Sequence, residues 1–71
     1  MSVIATVYNL DKDSKTVMDI DFYGNKMIFD NKTYTIDTSN INHSQLVVIT
    51  FTVKEDTALL IEVIMGCYAM D

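Results

Sequence analysis

The chain has 71 residues, of which 49% are hydrophobic, and its ten acidic and five basic side chains give a formal net charge of −5. All five basic residues are lysines, so the composition argues against a nucleic-acid-binding protein, which relies on guanidinium or clustered ammonium groups. An acidic chain of this kind favours basic protein partners.

A chain of this length forms one domain, spanning residues 1–71, with a small hydrophobic core. Its single cysteine, Cys67, excludes an intramolecular disulfide, and no Cys/His cluster is spaced to hold a structural metal ion. Small domains without such cross-links often gain stability by self-association, so we expect a homo-oligomer. The first residues do not resemble a signal peptide, and no apolar stretch reaches the roughly 20 residues that cross a membrane. We therefore expect a cytoplasmic protein, either of its own cell or of a host cell.

The first predicted strand covers Ser2 to Leu10, which is apolar and rich in β-branched residues, and a polar loop follows at 11–15. Asp11-Lys12-Asp13 resembles the start of a calcium loop. However, the sequence lacks the glycine and the glutamate that complete such a loop, so we expect no metal site. Both alternating sets of the strand are apolar enough to face the core, and the pattern leaves two choices: Val3, Ala5 and Val7, or Ile4, Thr6 and Tyr8.

Three further strands are predicted next, over 15–23, 26–30 and 33–37. Gly24-Asn25 is a two-residue turn signal that pairs the residues on either side of it, because glycine adopts the positive φ of a type II′ turn. Asn31-Lys32 is a weaker signal, which pairs Asp30 with Thr33. These registers place six apolar side chains on one face, which we assign to the core: Ile20, Phe22, Met27, Phe29, Tyr34 and Ile36.

The opposite face of the same three strands collects four carboxylates: Asp19, Asp21, Asp30 and Asp37. In the predicted register Asp19 lies opposite Asp30, with Lys26 beside Asp37, and a like-charge cross-strand pair destabilises a sheet by roughly a few tenths of a kcal/mol. A basic partner would offset that repulsion, so we predict a docking surface for a basic protein or, as a more remote choice, for a divalent cation. The alternative is a solvated face whose charge prevents edge-to-edge association. A flat exposed face offers no pocket for acid–base catalysis, so we expect neither an enzyme nor a cofactor.

The connection over 38–45 is polar and contains the only histidine, His43. A single histidine in a stretch rich in serine and asparagine is typical of polar surface, and we assign it no role.

Two apolar runs, 46–53 and 58–65, are separated by Lys54-Glu55-Asp56-Thr57 and predict a hairpin. A two-residue turn would place Glu62 opposite Ile49 in the core, which is costly for an unpaired carboxylate. We therefore predict a three-residue loop at 54–56. Its register makes one face wholly apolar through four pairs: Val53/Thr57, Phe51/Leu59, Ile49/Ile61 and Val47/Val63.

The reverse face of this hairpin is half apolar, whereas a strand with one solvated side alternates more cleanly. Either the rest of the chain covers this face within one small barrel, or another copy does. In the second case the homo-oligomer interface is formed by Val48, Thr50, Leu60, Ile64 and Tyr68. In a competing interpretation residues 57–70 form a helix with Asp56 as its N-cap. Gly66 and the apolar character on all sides of that segment disfavour the helix.

Together these patterns predict an all-β fold, a small antiparallel meander of about six strands that forms a barrel or an open sandwich; the alternative is α+β with a C-terminal helix. The predicted function is that of a small acidic, non-enzymatic protein-binding module. The residue usage follows AT-rich codons, as in many small phage genes, and suggests a phage-type inhibitor acting on a basic protein surface. The alternatives are a homo-oligomeric structural or assembly protein and an oligomer that sequesters a small molecule.

Overall fold

The computed structural model describes residues 1–44 and 48–64, and seven antiparallel β-strands within them form one curled sheet. A short 3-10 turn, Thr38–Asn40, lies between the fourth and fifth strands. The strands are β1 (Ser2–Asn9), β2 (Ser14–Tyr23), β3 (Lys26–Phe29), β4 (Lys32–Thr35), β5 (Asn42–His43), β6 (Val48–Thr52) and β7 (Leu59–Ile64). The all-β prediction is confirmed. The helical alternative for 57–70 is wrong over its described part, since Thr57 and Ala58 form a turn and Leu59–Ile64 is a strand; 65–70 lie outside the described residues.

The strands are ordered β4-β3-β2-β1-β7-β6-β5, so the sheet is a meander whose first strand also pairs with its last. β1 pairs with β2 over its whole length and with β7 from Thr6 to Asn9. The sheet bends back on itself as a half-barrel, and an isolated bridge between Ile36 and Val53 joins the end of β4 to the end of β6. Backbone hydrogen bonds flank this bridge, from Asp37 N to Thr52 O at 2.9 Å and from Lys54 N to Thr35 O at 2.9 Å.

The core fills the concave side of the sheet. Ile20, Met27 and Ile61 are completely buried. The alternation of β1, which the sequence left open, places Ala5 and Val7 inside and leaves Ile4 67% exposed. The predicted core face is confirmed: Ile20, Met27 and Phe29 are buried, and Phe22, Tyr34 and Ile36 pack against them.

Two of the three predicted hairpin registers differ from the structure by two residues. The turn at Gly24 pairs Tyr23 with Lys26, as predicted. At the next turn the predicted Asp30/Thr33 pair is wrong: Phe29 pairs with Lys32, since Asp30 and Asn31 form the turn with φ of 52° and 61°. Aspartate and asparagine tolerate this left-handed region better than lysine does.

In the last hairpin, Phe51 pairs with Ile61 instead of Leu59, so the predicted three-residue loop is wrong. Residues 53–58 connect the two strands, and Asp56 organises a turn within them. Its side chain accepts a hydrogen bond from Ala58 N at 3.0 Å, and its carbonyl accepts one from Leu59 N at 3.1 Å. In both hairpins a shift of two residues leaves every side chain on its predicted face.

The polar connection is more ordered than its composition suggests. Asp37 caps the 3-10 turn, and β5 pairs with β6 through Asn42/Thr50 and His43/Ile49.

Among the described residues, no helix has the length and apolar character needed to cross a membrane.

Candidate functional site

The outer face of β2 carries two of the four predicted aspartates. Asp19 and Asp21 are both exposed, and their spacing of two residues puts them on the same face of the strand. On β1 their cross-strand partners are Ile4 and Ser2, and on β3 the partner of Asp21 is Ile28. Neither carboxylate therefore lies opposite a lysine in the sheet.

Asp30 does not form the predicted cross-strand pair with Asp19. The β2–β3 ladder ends at Asp21/Ile28, and Asp30 lies in the turn after β3. Its side chain lines a polar cleft of about 300 Å³ on the concave side of β2, together with Lys12 and Asp56. Thr16 and Met18, on the inner face of β2, form part of the same cleft.

Asp37 has a structural role and is half-buried. It accepts hydrogen bonds from Ser39 Oγ at 2.6 Å and from Ser39 N at 3.1 Å. The Ser39 hydroxyl, then its backbone N–H and the charge of Lys54, hold the pKa of Asp37 below its ordinary value. Lys26, predicted beside Asp37, pairs with Thr35 and donates from Nζ to Thr35 Oγ1 at 3.0 Å. Of the predicted quartet, the structure thus keeps only Asp19 and Asp21 side by side on the outer face.

The open edge of β2 is a feature that the sequence analysis missed. β2 has ten residues, but β3 pairs only with its last three, Asp21 to Tyr23. In the part of the chain that the structure describes, no strand pairs with the same edge of β2 before Asp21. The omission followed from the predicted turn at Asn31-Lys32, which extended β3 to Asp30 and covered more of this edge.

The face of the last hairpin that was predicted as a homo-oligomer interface also lies on the outer side of the sheet. Val48 pairs with Ile64, Thr50 with Glu62, and β1 continues the face through Thr6 beside Glu62. Ile64 is 66% exposed, and the other described members are half-buried: Val48, Thr50 and Leu60. Tyr68, its fifth predicted member, lies outside the described residues, as do Val47 and Cys67.

A hydrogen bond crosses from β1 to β7 on this face. Tyr8 Oη donates to Glu62 Oε1 at 3.2 Å. Partial burial raises the pKa of the Tyr8 hydroxyl, and the hydrogen bond to the Glu62 carboxylate and its negative charge raise it further. The face therefore includes an internally bonded polar pair beside its exposed apolar side chains.

An apolar cleft of about 510 Å³ opens on the concave side of the half-barrel. Val3, Phe22, Ile49, Phe51 and Val63 form its walls, and Ile41 and His43 also line it. Ile64, on the outer face at the end of β7, borders the same cleft. Among the residues that the structure describes, no carboxylate lines this cleft. Its walls come from four strands, β1, β2, β6 and β7, and periodicity within one strand does not show such a site.

Among residues 1–44 and 48–64, no group of three or more histidine, cysteine or acidic side chains is arranged to hold a metal ion.

Comparisons with protein-family models, curated proteins and solved structures give no match for this chain.

Proposed function

We propose that the protein is a non-enzymatic binding module that engages a basic surface of another protein through the outer face of β2. One observation carries the proposal: Asp19 and Asp21 are exposed side by side on one strand, and no lysine lies opposite either of them. The net charge of −5 makes the whole molecule negative, as this face is, and favours attraction of basic partners.

Apolar side chains next to these carboxylates support a protein partner over a small ion. Ile4, opposite Asp19, is 67% exposed, and Val17, two residues before Asp19 on the same face, is 64% exposed. Protein interfaces combine apolar contact area with charge complementarity, which guides encounter and orientation. A partner seated on this face would have its basic surface covered, so the module would inhibit whatever that surface normally binds.

The test removes the two charges without changing side-chain size. An Asp19→Asn/Asp21→Asn variant is titrated with an octalysine peptide at low salt and compared with Asp11→Asn/Asp13→Asn. The control removes the same charge from the loop between β1 and β2. Since exposed ion pairs contribute little each, we expect the β2 variant to bind about fivefold more weakly and the control to change less. Equal losses in the two variants would show that only net charge matters and would contradict the proposal.

A second candidate function, self-association, is favoured by the exposure of Ile4 and Ile64 on one outer face. Thr6 and Glu62 form the last β1–β7 pair, and Ile4 and Ile64 lie two residues beyond it on their strands. Both side chains are about two-thirds exposed, at 67% and 66%. Sedimentation of the wild-type protein and of an Ile64→Lys variant tests this candidate.

A further inference from the structure

β2 combines complete pairing on one edge with little on the other. β1 pairs with it continuously from Ser14 to Asp21, in a regular register without a bulge. β3 covers the other edge from Asp21 to Tyr23 alone. The stretch from Lys15 to Asp19 thus has a strand on one side only, within the part of the chain that is described.

The hydrogen-bond pattern identifies the backbone groups that this edge presents. Phe22 and Met1 exchange hydrogen bonds, with Phe22 N donating to Met1 O at 2.8 Å and Met1 N donating to Phe22 O at 3.1 Å. Residues of an antiparallel strand alternate in the edge to which their N–H and C=O point. Even-numbered residues of β2 therefore bond to β1. The odd-numbered residues Lys15, Val17 and Asp19 direct their N–H and C=O groups to the open edge.

Of the devices that commonly protect sheet edges, this stretch carries only charge, at Lys15 and Asp19, and a strand of complementary charge is attracted by Asp19 instead of repelled. Sheet edges are commonly protected by proline, by bulges or by very short strands, and β2 has none of these over this stretch. Lys15, Val17 and Asp19 are all exposed, Val17 by 64%. The edge has a regular register and is long enough for a five-residue segment.

The charges around the edge are unequal at its two ends. At one end, Asp19 and Asp21 lie on the outer face, and Asp30 lines the polar cleft that the inner face of β2 shares. At the other end the charge is mixed: Lys15 lies on the outer face and Lys12 lines the cleft, while Asp11 and Asp13 are exposed in the loop on either side of Lys12. A complementary strand would have its basic residues at the Asp19 end.

We propose that an extended segment of a basic partner protein adds as an antiparallel strand to the open edge of β2, pairing with Lys15, Val17 and Asp19. This inference rests on the proposed function and names the form of the partner. Strand addition gains affinity from main-chain hydrogen bonds and specificity from alternate side chains. Cross-strand pairing calls for a basic residue opposite Asp19, an apolar residue opposite Val17 and a neutral polar residue opposite Lys15.

The experiment uses the full chain and a defined probe, the blocked heptapeptide Lys-Lys-Thr-Val-Thr-Ser-Thr. Amide hydrogen exchange is followed by NMR without and with saturating peptide. We expect exchange of the Lys15, Val17 and Asp19 amides to slow by at least about tenfold on binding, because their N–H groups acquire acceptors. The same peptide N-methylated at its second lysine and at valine is the control, and it should give no protection because its donors are blocked.

A matched pair of variants tests the same edge from the protein side. Val17→Pro removes an outward N–H that β1 does not use, so the fold tolerates it as edge strands tolerate proline. Val17→Thr keeps that N–H. We expect Val17→Thr to bind the peptide like the wild type and Val17→Pro to lose the protection of Lys15 and Asp19.

The outcomes separate this inference from the proposed function. Suppose that Asp19→Asn/Asp21→Asn weakens peptide binding but the three amides of the wild-type protein stay unprotected. That result would overturn strand addition and leave the proposed role of the acidic face standing. An unfolded Val17→Pro variant leaves the N-methylated peptide to decide. Protection of the three amides in the free protein would also overturn the inference, since the edge would then already be paired by the chain itself or, if the protection depends on concentration, by a second copy.

Discussion

At the scale of single residues, Glu55 joins two distant parts of the sheet. Its carboxylate accepts a hydrogen bond from Thr35 N at 2.7 Å and another from Thr35 Oγ1 at 2.7 Å, next to the bridge between Ile36 and Val53. The Thr35 backbone N–H, then its hydroxyl and the charge of Lys26, lower the pKa of Glu55. The ionised form is therefore favoured in the folded protein.

A lowered pKa in the folded state gives Glu55 a stabilising effect that depends on pH. The contribution is fully present above the ordinary carboxyl value of 4.5 and disappears as the pH falls through the lower value of the folded state. We expect the free energy of unfolding to fall in that acidic range, and to fall less steeply in Glu55→Gln, which retains one acceptor oxygen without the charge. Urea denaturation at a series of pH values measures this. Asp11→Asn is the control, and a Glu55→Gln profile parallel to the wild type would contradict the prediction.

Two turns show how far individual residues identify the position of a turn in the sequence. Gly24 has a φ of 59°, and glycine marked that turn at the correct position. The next turn was predicted one residue late, at Asn31-Lys32, because asparagine was expected to be its first central residue. Asp30 takes that place, and the signal was present in the dipeptide Asp30-Asn31, since both residues tolerate positive φ.

At the scale of strands, the sequence predicts faces better than registers. Side chains alternate with a period of two, so the composition of each strand identifies its buried face, and a two-residue shift leaves that face unchanged. Ile20, Met27 and Ile61 were assigned to the correct side for this reason. Registers depend on which loop residues form the turn, as Asp56 does before β7, and such local hydrogen bonds leave little trace in the hydrophobic pattern.

The same distinction explains how much of the candidate site could be predicted. Asp19 and Asp21 belong to one strand, so their common outer face followed from alternation alone. The placement of Asp30 with Asp19 required a correct register. Asp37 lies beyond β4, where it caps the 3-10 turn. The open edge of β2 became visible only when the length of β3 was known.

β7 supports a prediction for the outer face of its hairpin. If copies of the chain associate through this face, a lysine at position 64 would place a charge in an apolar contact, which is costly without a partner. We expect Ile64→Lys to lower the association state measured by sedimentation equilibrium. Leu10→Lys, at a side chain that is 60% exposed in the loop after β1, is the control and should sediment like the wild type. A wild-type monomer, or an assembly that survives Ile64→Lys, would exclude this face.

At the scale of the whole molecule, the curled sheet leaves a cleft in addition to a core. Phe22 and Phe51 stack edge to face, with ring centroids 6.1 Å apart, and both rings line the apolar cleft of about 510 Å³. A cleft of this size is within the range that small ligands occupy. Its apolar walls contrast with the polar cleft near Asp30.

The apolar cleft gives a prediction that a fluorescent dye can test. We expect 8-anilino-1-naphthalenesulfonate to bind the native protein, and Ile41→Asp, which places a carboxylate in the lining, to weaken that binding by at least about tenfold. Leu10→Asp introduces the same charge away from the cleft and should bind the dye like the wild type. Equal dye binding by both variants would show that the cleft is not the binding site.

The position of β1 between β2 and β7 also determines how the chain can fold during synthesis. Tyr8 and Glu62, which bond across β1 and β7, are 54 residues apart in the sequence. Contacts of such high sequence separation raise the contact order and slow folding, because a long loop must close before they form. On the ribosome, β1 to β4 emerge first, and the β7-facing edge of β1 remains without its partner until β7 leaves the exit tunnel. The nascent sheet is therefore most exposed to aggregation in the interval between the emergence of β1 and that of β7.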